Sequence, residues 1–185
     1  MENKKFSDLG LKESILKAID DMGFEEPSHI QAKIIPVLLE GHDAIGQAQT
    51  GTGKTLAFGA PILNNYIRTE GKKIYSIILT PTRELAIQVN DELNRIGKYI
   101  KAHILPVYGG QPIERQIYAL KKGVDIVVGT PGRVLDLMRR KLIDLSEVDF
   151  LVLDEADEML NMGFIEDIEE IIKSCNQERQ TMLFS

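Results

Sequence analysis

Residues 43–55 read Asp43-Ala44-Ile45-Gly46-Gln47-Ala48-Gln49-Thr50-Gly51-Thr52-Gly53-Lys54-Thr55, and this stretch sets the fold. A short strand over residues 43–48 runs straight into a glycine-rich turn, and a helical pattern opens at Lys54. Gly51 and Gly53 let the backbone curl so that successive N–H groups face phosphate oxygens. Lys54 supplies positive charge, Thr55 a hydroxyl for Mg²⁺, and the helix N-terminus a favourable dipole. The general form of this loop begins with glycine six residues before the lysine, and Ala48 stands there instead. The bland alternative is an ordinary glycine-rich turn ahead of a helix. The strand–loop–helix setting of Ala48, Gln49, Thr50, Gly51, Thr52, Gly53, Lys54 and Thr55 favours a phosphate loop.

Working outward, short β-branched runs recur at residues 74–80, 102–108, 124–129, 148–154 and 181–184. Amphipathic segments separate them, notably 83–100 and 165–173, with apolar residues at helical spacing. Strand and helix in alternation predict an α/β fold with a parallel sheet covered on both faces. Residues 11–22 and 29–39 look helical and precede the first strand, with Gly23 and Pro27 between them. The expected organisation is therefore an N-terminal appendage over 1–40 and an α/β domain over 41–185.

Composition narrows the function. The chain has 185 residues, 43% apolar and 27% charged, which fits one globular domain and excludes fibrous or disordered architectures. One cysteine, Cys175, rules out an internal disulfide and a cysteine-rich zinc site, in keeping with a reducing cytoplasm. No apolar run approaches the ~18 residues of a membrane span. Net charge is −6, but residues 144–179 hold 12 acids against Lys173 and Arg179, while residues 1–143 hold 16 acids and 20 bases. The acidic end reads as a solvated helix face, and the mildly basic remainder leaves nucleic acid open.

A phosphate loop needs a carboxylate to hold its metal. The run Phe150-Leu151-Val152-Leu153 ends in Asp154-Glu155-Ala156-Asp157, which puts Asp154 at a strand tip for Mg²⁺. Glu155, one residue on, is placed to orient or deprotonate an attacking water. Alternation sends the two carboxylates in different directions, which suits two roles. Taken alone, the acidic turn reads as solvated surface.

Two further loops share a pattern. Thr80-Pro81-Thr82-Arg83 and Thr130-Pro131-Gly132-Arg133 both follow a strand and open a helix, with proline in the first turn and a threonine as cap. Each offers free N–H groups and an arginine, as a phosphate requires. Two such cradles on one rim suit successive phosphates of a polymer; the alternative is two capped helices with solvated arginines. Gly109-Gly110 would let a ligand backbone approach closely, or else form a simple turn. In the appendage, Phe24 could stack on a base, and the Gln31 amide could pair with adenine N7 and its amino group. A core phenylalanine and a surface glutamine are the plainer reading.

Together these motifs resemble the first lobe of a DEAD-box RNA helicase, over nearly the whole chain. Phe6, Gly23-Phe24, Pro27 and Ile30-Gln31 are similar to the family's adenine-reading Q motif, with Ser28 where threonine is commoner. The family's own phosphate loop begins with alanine, as at Ala48. Pro81, Thr82, Arg83, Gly109, Gly110, Thr130, Pro131, Gly132 and Arg133 match its RNA-contacting motifs, and 154–157 is the motif that names it. The resemblance implies a RecA-like sheet, ATP or ADP with Mg²⁺ as nucleotide and metal, and RNA held by its sugar–phosphate backbone. It further implies that Lys54, Asp154 and Glu155 do the chemistry, and that Asp157 couples the site to a following Ser-Ala-Thr motif. The chain ends at the first residue of such a motif, Ser185, so a second lobe with arginine fingers is expected beyond it. Rival readings are a DNA-directed helicase of the same superfamily and a non-enzymatic ATP-dependent RNA clamp. A small-molecule kinase would leave the paired Thr-Pro-x-Arg loops without a role.

Overall fold

Backbone pairing draws each of the apolar runs into a single sheet. In the computed structural model, which describes residues 4–49, 51–71 and 73–185, the strands are β1 Ala44–Gly46, β2 Ser76–Leu79, β3 Ile104–Val107, β4 Ile126–Gly129, β5 Phe150–Leu153 and β6 Gln180–Phe184. They pair in the order β1-β6-β5-β2-β4-β3, every neighbour parallel. At the centre Ile77 of β2 lies opposite Val127 of β4 and Leu151 of β5. β2, β4 and β5 are buried along their whole length, as parallel strands covered on both faces must be.

Alternation along the strands feeds two cores. Ile78, Val128, Val152 and Met182 pack with Leu56 and Ile62 of α3 (Lys54–Asn65) and Val89 and Leu93 of α4 (Arg83–Ile96). Ile77, Leu79, Val127, Leu151 and Leu153 face the other way. They meet Leu120 of α5 (Ile113–Lys122), Val134 and Leu137 of α6 (Pro131–Arg139), Met159 of α7 (Ala156–Asn161) and Ile168 and Ile171 of α8 (Ile165–Ser174). Each such side chain is worth ~1.5–3 kcal/mol when fully buried, so the two layers fix the register. The amphipathic pattern that begins at Arg83 runs on to Ile100, but α4 stops at Ile96. There Gly97 serves as the cap and its N–H returns to the Leu93 carbonyl at 2.8 Å.

α1 (Glu13–Asp21) and α2 (His29–Leu39) share the first of these cores: Phe6, Leu9, Ile15, Ile19, Ile30, Ile35 and Leu38 belong to the same cluster as α3 and α4. Polar ties reinforce the packing. The Lys12 N–H donates to Asn64 Oδ1 at 2.6 Å, and Asp21 takes Lys98 Nζ at 3.0 Å and the Tyr99 hydroxyl. Among the described residues no helix is long and apolar enough to cross a membrane.

Because all strands run the same way, the loops that follow them gather at one rim. The turns after β1, β2, β3, β4 and β5 carry the motifs singled out in the sequence, at the edge where ligands bind in such sheets.

Candidate functional site

The turn after β1 is held by its own chemistry. Gly51 and Gly53 have φ of +81° and +80°, a left-handed backbone that a side chain would strain by ~1–2 kcal/mol. The Thr52 hydroxyl donates to the Gln49 carbonyl at 2.6 Å, closing the loop, and Gly53 caps α3 so that Lys54 and Thr55 open the helix. Ala48, at the base, donates its N–H to the Ser185 carbonyl at 3.1 Å, while the Ser185 N–H reaches the Gly46 carbonyl at 3.1 Å. Thr50, also expected to contact phosphate, lies outside the described residues.

Around this turn, Phe24, Gly51, Gly53, Lys54, Thr55, Leu85, Gln88, Glu92, Asp154 and Glu155 line a cleft of about 250 Å³. A larger hollow of about 480 Å³ lies at the opposite rim, among Arg68, Lys73, His103, Lys122 and Asp125. The motif residues line the smaller one.

Lys54 is almost buried and its ammonium meets Glu155 Oε1 at 2.6 Å. Glu155 itself has φ of +52° and caps α7, so the backbone is strained where the carboxylate turns toward the lysine. Asp154 is 3% exposed, its N–H bound to the Leu79 carbonyl at 2.9 Å, and its Oδ1 has no partner. Burial and then the Glu155 charge push the Asp154 carboxyl up to about 6; the Lys54 charge and the Glu155 N–H act in the opposite direction. A buried carboxylate oxygen that accepts from no donor is suited to a cation. Among the described residues there is no cluster of three or more metal-ligating side chains. Mg²⁺ keeps several waters and takes one or two protein oxygens beside phosphates, and Thr55 and Asp154 are the residues that could hold it.

Glu92 of α4 escaped the sequence reading. It is half-buried against this cleft, which Thr55 also lines, and burial pushes its carboxyl above the usual value, with the Thr55 hydroxyl and the Arg95 charge acting in the opposite direction. The signal for it was weak: one charged residue next to the buried positions of an amphipathic helix.

Gln31 does not face the open cleft. It is 3% exposed; its Oε1 accepts the Ser28 N–H at 2.8 Å and its Nε2 donates to the Gly53 carbonyl at 3.1 Å. A Cβ at Gly53 would sit 2.1 Å from that Nε2, so the Q-motif amide and the phosphate loop are in direct contact. Phe24, by contrast, is 42% exposed and free to present a ring.

The two Thr-Pro-x-Arg loops are not equivalent, which corrects the expectation of matching cradles. In the first, Thr82 is the cap, its hydroxyl accepting the Leu85 N–H at 3.2 Å, so Pro81 lies before the helix and Arg83 begins it. In the second, glycine replaces that threonine and cannot cap. The helix therefore starts two residues earlier in the motif, with Pro131 at its first position and Thr130 as a cap that makes no side-chain bond. The arginines differ as well. Arg83 is exposed, over the Tyr108 ring at 5.2 Å, whereas Arg133 is committed to the Gln111 carbonyl and, at 3.1 Å, to Gln116 Oε1. Arg133 thus fastens the turn that carries Gly109 and Gly110. Gly110 needs its φ of +77°, but a Cβ at Gly109 or Gly132 would meet nothing within 4 Å. Asp157 is exposed in the first turn of α7.

Known proteins resemble the chain over almost its whole length. The chain is 57% identical over 180 residues to the DEAD-box ATP-dependent RNA helicase CshA of Bacillus cereus, covering 97% of this chain and 34% of that protein. It is 58% identical to the ATP-dependent RNA helicase CshA of Limosilactobacillus reuteri, over 98% of this chain and 36% of the other. The chain thus spans about a third of the length of these curated relatives. A DEAD box protein from Methanococcus jannaschii superposes with a TM-score of 0.92 at 48% identity, over 98% of this chain and 49% of its own. A hypothetical ATP-dependent RNA helicase from Sulfolobus tokodaii follows at 0.86 and 42% identity, covering 95% and 50%. These likenesses also confirm the RecA-like form of the sheet. The profile of the DEAD/DEAH box helicases matches residues 28–185, and the chain belongs to that family.

Proposed function

We propose that this chain forms the nucleotide-binding lobe of an ATP-dependent RNA helicase, taking ATP or ADP with Mg²⁺ in the cleft and an RNA backbone along the rim. The observation that carries the reading is the buried, unpartnered Asp154 oxygen beside the Lys54–Glu155 pair, at the mouth of the glycine turn. It rests further on the relatives, which are named as ATP-dependent RNA helicases.

In this reading Lys54 leaves Glu155 for the β- and γ-phosphates, and the freed Glu155 orients the attacking water and takes its proton. The turn N–H groups and the start of α3 bind phosphate oxygens, at a place where they need no reorganisation during the reaction. Thr55 and Asp154 would hold Mg²⁺, which would supply neutralising charge to the phosphates. Phe24 stacks on the base, and Gln31 reads adenine by exchanging its Gly53 partner. The arginines that meet the transferring phosphoryl group come from a second lobe outside these 185 residues. Arg83, the N-termini of α4 and α6 and the Gly109-Gly110 turn contact sugar and phosphate, so sequence preference is slight. Asp157 and Ser185 link the site to lobe closure, and the protein works in the cytoplasm.

The test is calorimetric titration with Mg²⁺·ADP and Mg²⁺·GDP. ADP should bind more tightly, and Gln31→Ala should narrow the gap, since a buried group left unpaired is worth ~1–3 kcal/mol. Equal affinities for the two nucleotides in the unaltered chain would remove the adenine assignment.

A further inference from the structure

We propose that Glu92 is a positioning residue of the metal–phosphate site: it holds the Thr55 hydroxyl so that the oxygen, not the proton, faces the metal. This rests on the nucleotide reading above and extends it to a residue outside every motif.

The geometry comes from α4. Leu85, Gln88 and Glu92 lie three and four residues apart, hence on one stripe, and all three line the same cleft as Thr55, Asp154 and Glu155. The helix has an exposed face where a glutamate would be fully hydrated, yet this one is half-buried, within range of the Asp154 charge. Two carboxylates facing one cleft repel each other unless donors or a cation stand between them. Thr55, whose hydroxyl can donate, lines the same cleft, and the Arg95 charge lies on the same helix.

A hydroxyl has one proton and two lone pairs. With its proton given to Glu92, Thr55 can only accept, and a metal wants an accepting oxygen. Without Glu92 the hydroxyl rotates freely, and some of its rotamers point a proton at the cation. Groups that orient a ligand in this manner are typically worth 10–100-fold in metal affinity. The plain alternative is that Glu92 merely pairs with Arg95, three residues on along the helix.

The experiment titrates Mg²⁺ at fixed ADP, with the unaltered chain, Glu92→Ala and Glu92→Gln, and repeats the ADP titration in EDTA. Melting curves check that the variants fold. Glu92→Ala should raise the Mg²⁺ concentration for half-maximal effect by 10–100-fold while leaving metal-free ADP affinity unchanged or tighter, since a negative charge has gone. Glu92→Gln keeps an acceptor for Thr55 and should lose less. An unaltered Mg²⁺ requirement in a folded Glu92→Ala overturns the proposal, as does an equal loss of ADP affinity with and without metal. If the unaltered chain binds no ADP under either condition, the nucleotide reading and this proposal fail together.

Discussion

Asp154→Asn should stabilise the nucleotide-free protein at neutral pH. The carboxyl sits at about 6 against an ordinary 3.8, so near pH 7 the folded state holds the ionised group less favourably than the unfolded chain does. The difference of about two units corresponds to an upper limit of about 3 kcal/mol. The sign follows from proton counting. Between the two values the folded state holds more protons than the unfolded one, so the penalty is absent well below pH 4, grows as pH rises and is complete above about 6. At pH 5 roughly half of it applies. Asparagine removes the charge but brings an amide needing partners, which reduces the expected gain to ~1–2 kcal/mol, or ~2–8 °C in Tm for a chain of this size. Thermal melts at pH 7.5 and pH 5 measure it: the variant should melt higher at pH 7.5, with the advantage shrinking at pH 5. Saturating Mg²⁺·ADP should reverse the order, because only the carboxylate gains from the cation. A variant that melts lower at pH 7.5 without nucleotide, or whose advantage grows as pH falls, refutes the reasoning.

Other perturbations probe the loops. Gly53→Ala places a Cβ against the Gln31 amide and in a left-handed backbone, so it should lower stability by ~2–3 kcal/mol. Adding Gln31→Ala should recover part of that loss; strictly additive melts would deny the contact its role. Arg83→Ala should weaken single-stranded RNA binding and lower the salt slope by ~0.7, as expected for one phosphate contact, with little change in Tm. Arg133→Ala should instead lower stability by ~1–2 kcal/mol, and Tm with it, because its guanidinium ties Gln111 to Gln116. Equal salt slopes for Arg83→Ala and the parent, or an unmoved Tm for Arg133→Ala, would return these side chains to solvated surface.

How much was legible in the sequence varies with the physical cause. Strands such as Phe150–Leu153 and Ile126–Gly129 stood out because a sheet covered on both faces demands unbroken apolar runs, and the turns after them carry unusual glycines and carboxylates. Strand ends were blurred because Ile74 and Tyr75 are apolar for core reasons yet lie before the ladder begins at Ser76. Identical Thr-Pro-x-Arg spelling hid two cap registers, since the choice turns on the one unspecified residue, Thr82 or Gly132. Glu92 and Tyr108 were silent for a different reason. Each is an ordinary residue in an ordinary helix or strand-end position, and only the tertiary fold sets one beside Thr55 and the other beneath Arg83. Gln31 was legible as a site residue, but its contact with Gly53 crosses 22 residues of chain and could not be read from spacing.

In the proposed function these 185 residues carry the nucleotide site, and the charge that drives turnover comes from a second lobe. Phosphate release from ATP, followed with and without single-stranded RNA on a chain already shown to bind Mg²⁺·ADP, tests it most directly. An arginine finger is typically worth 10³–10⁵ in rate, so the chain alone should bind nucleotide, release phosphate negligibly and ignore RNA. Supplying a second lobe by fusion should restore part of the turnover. Rapid, RNA-stimulated phosphate release from the 185-residue chain by itself would contradict the claim.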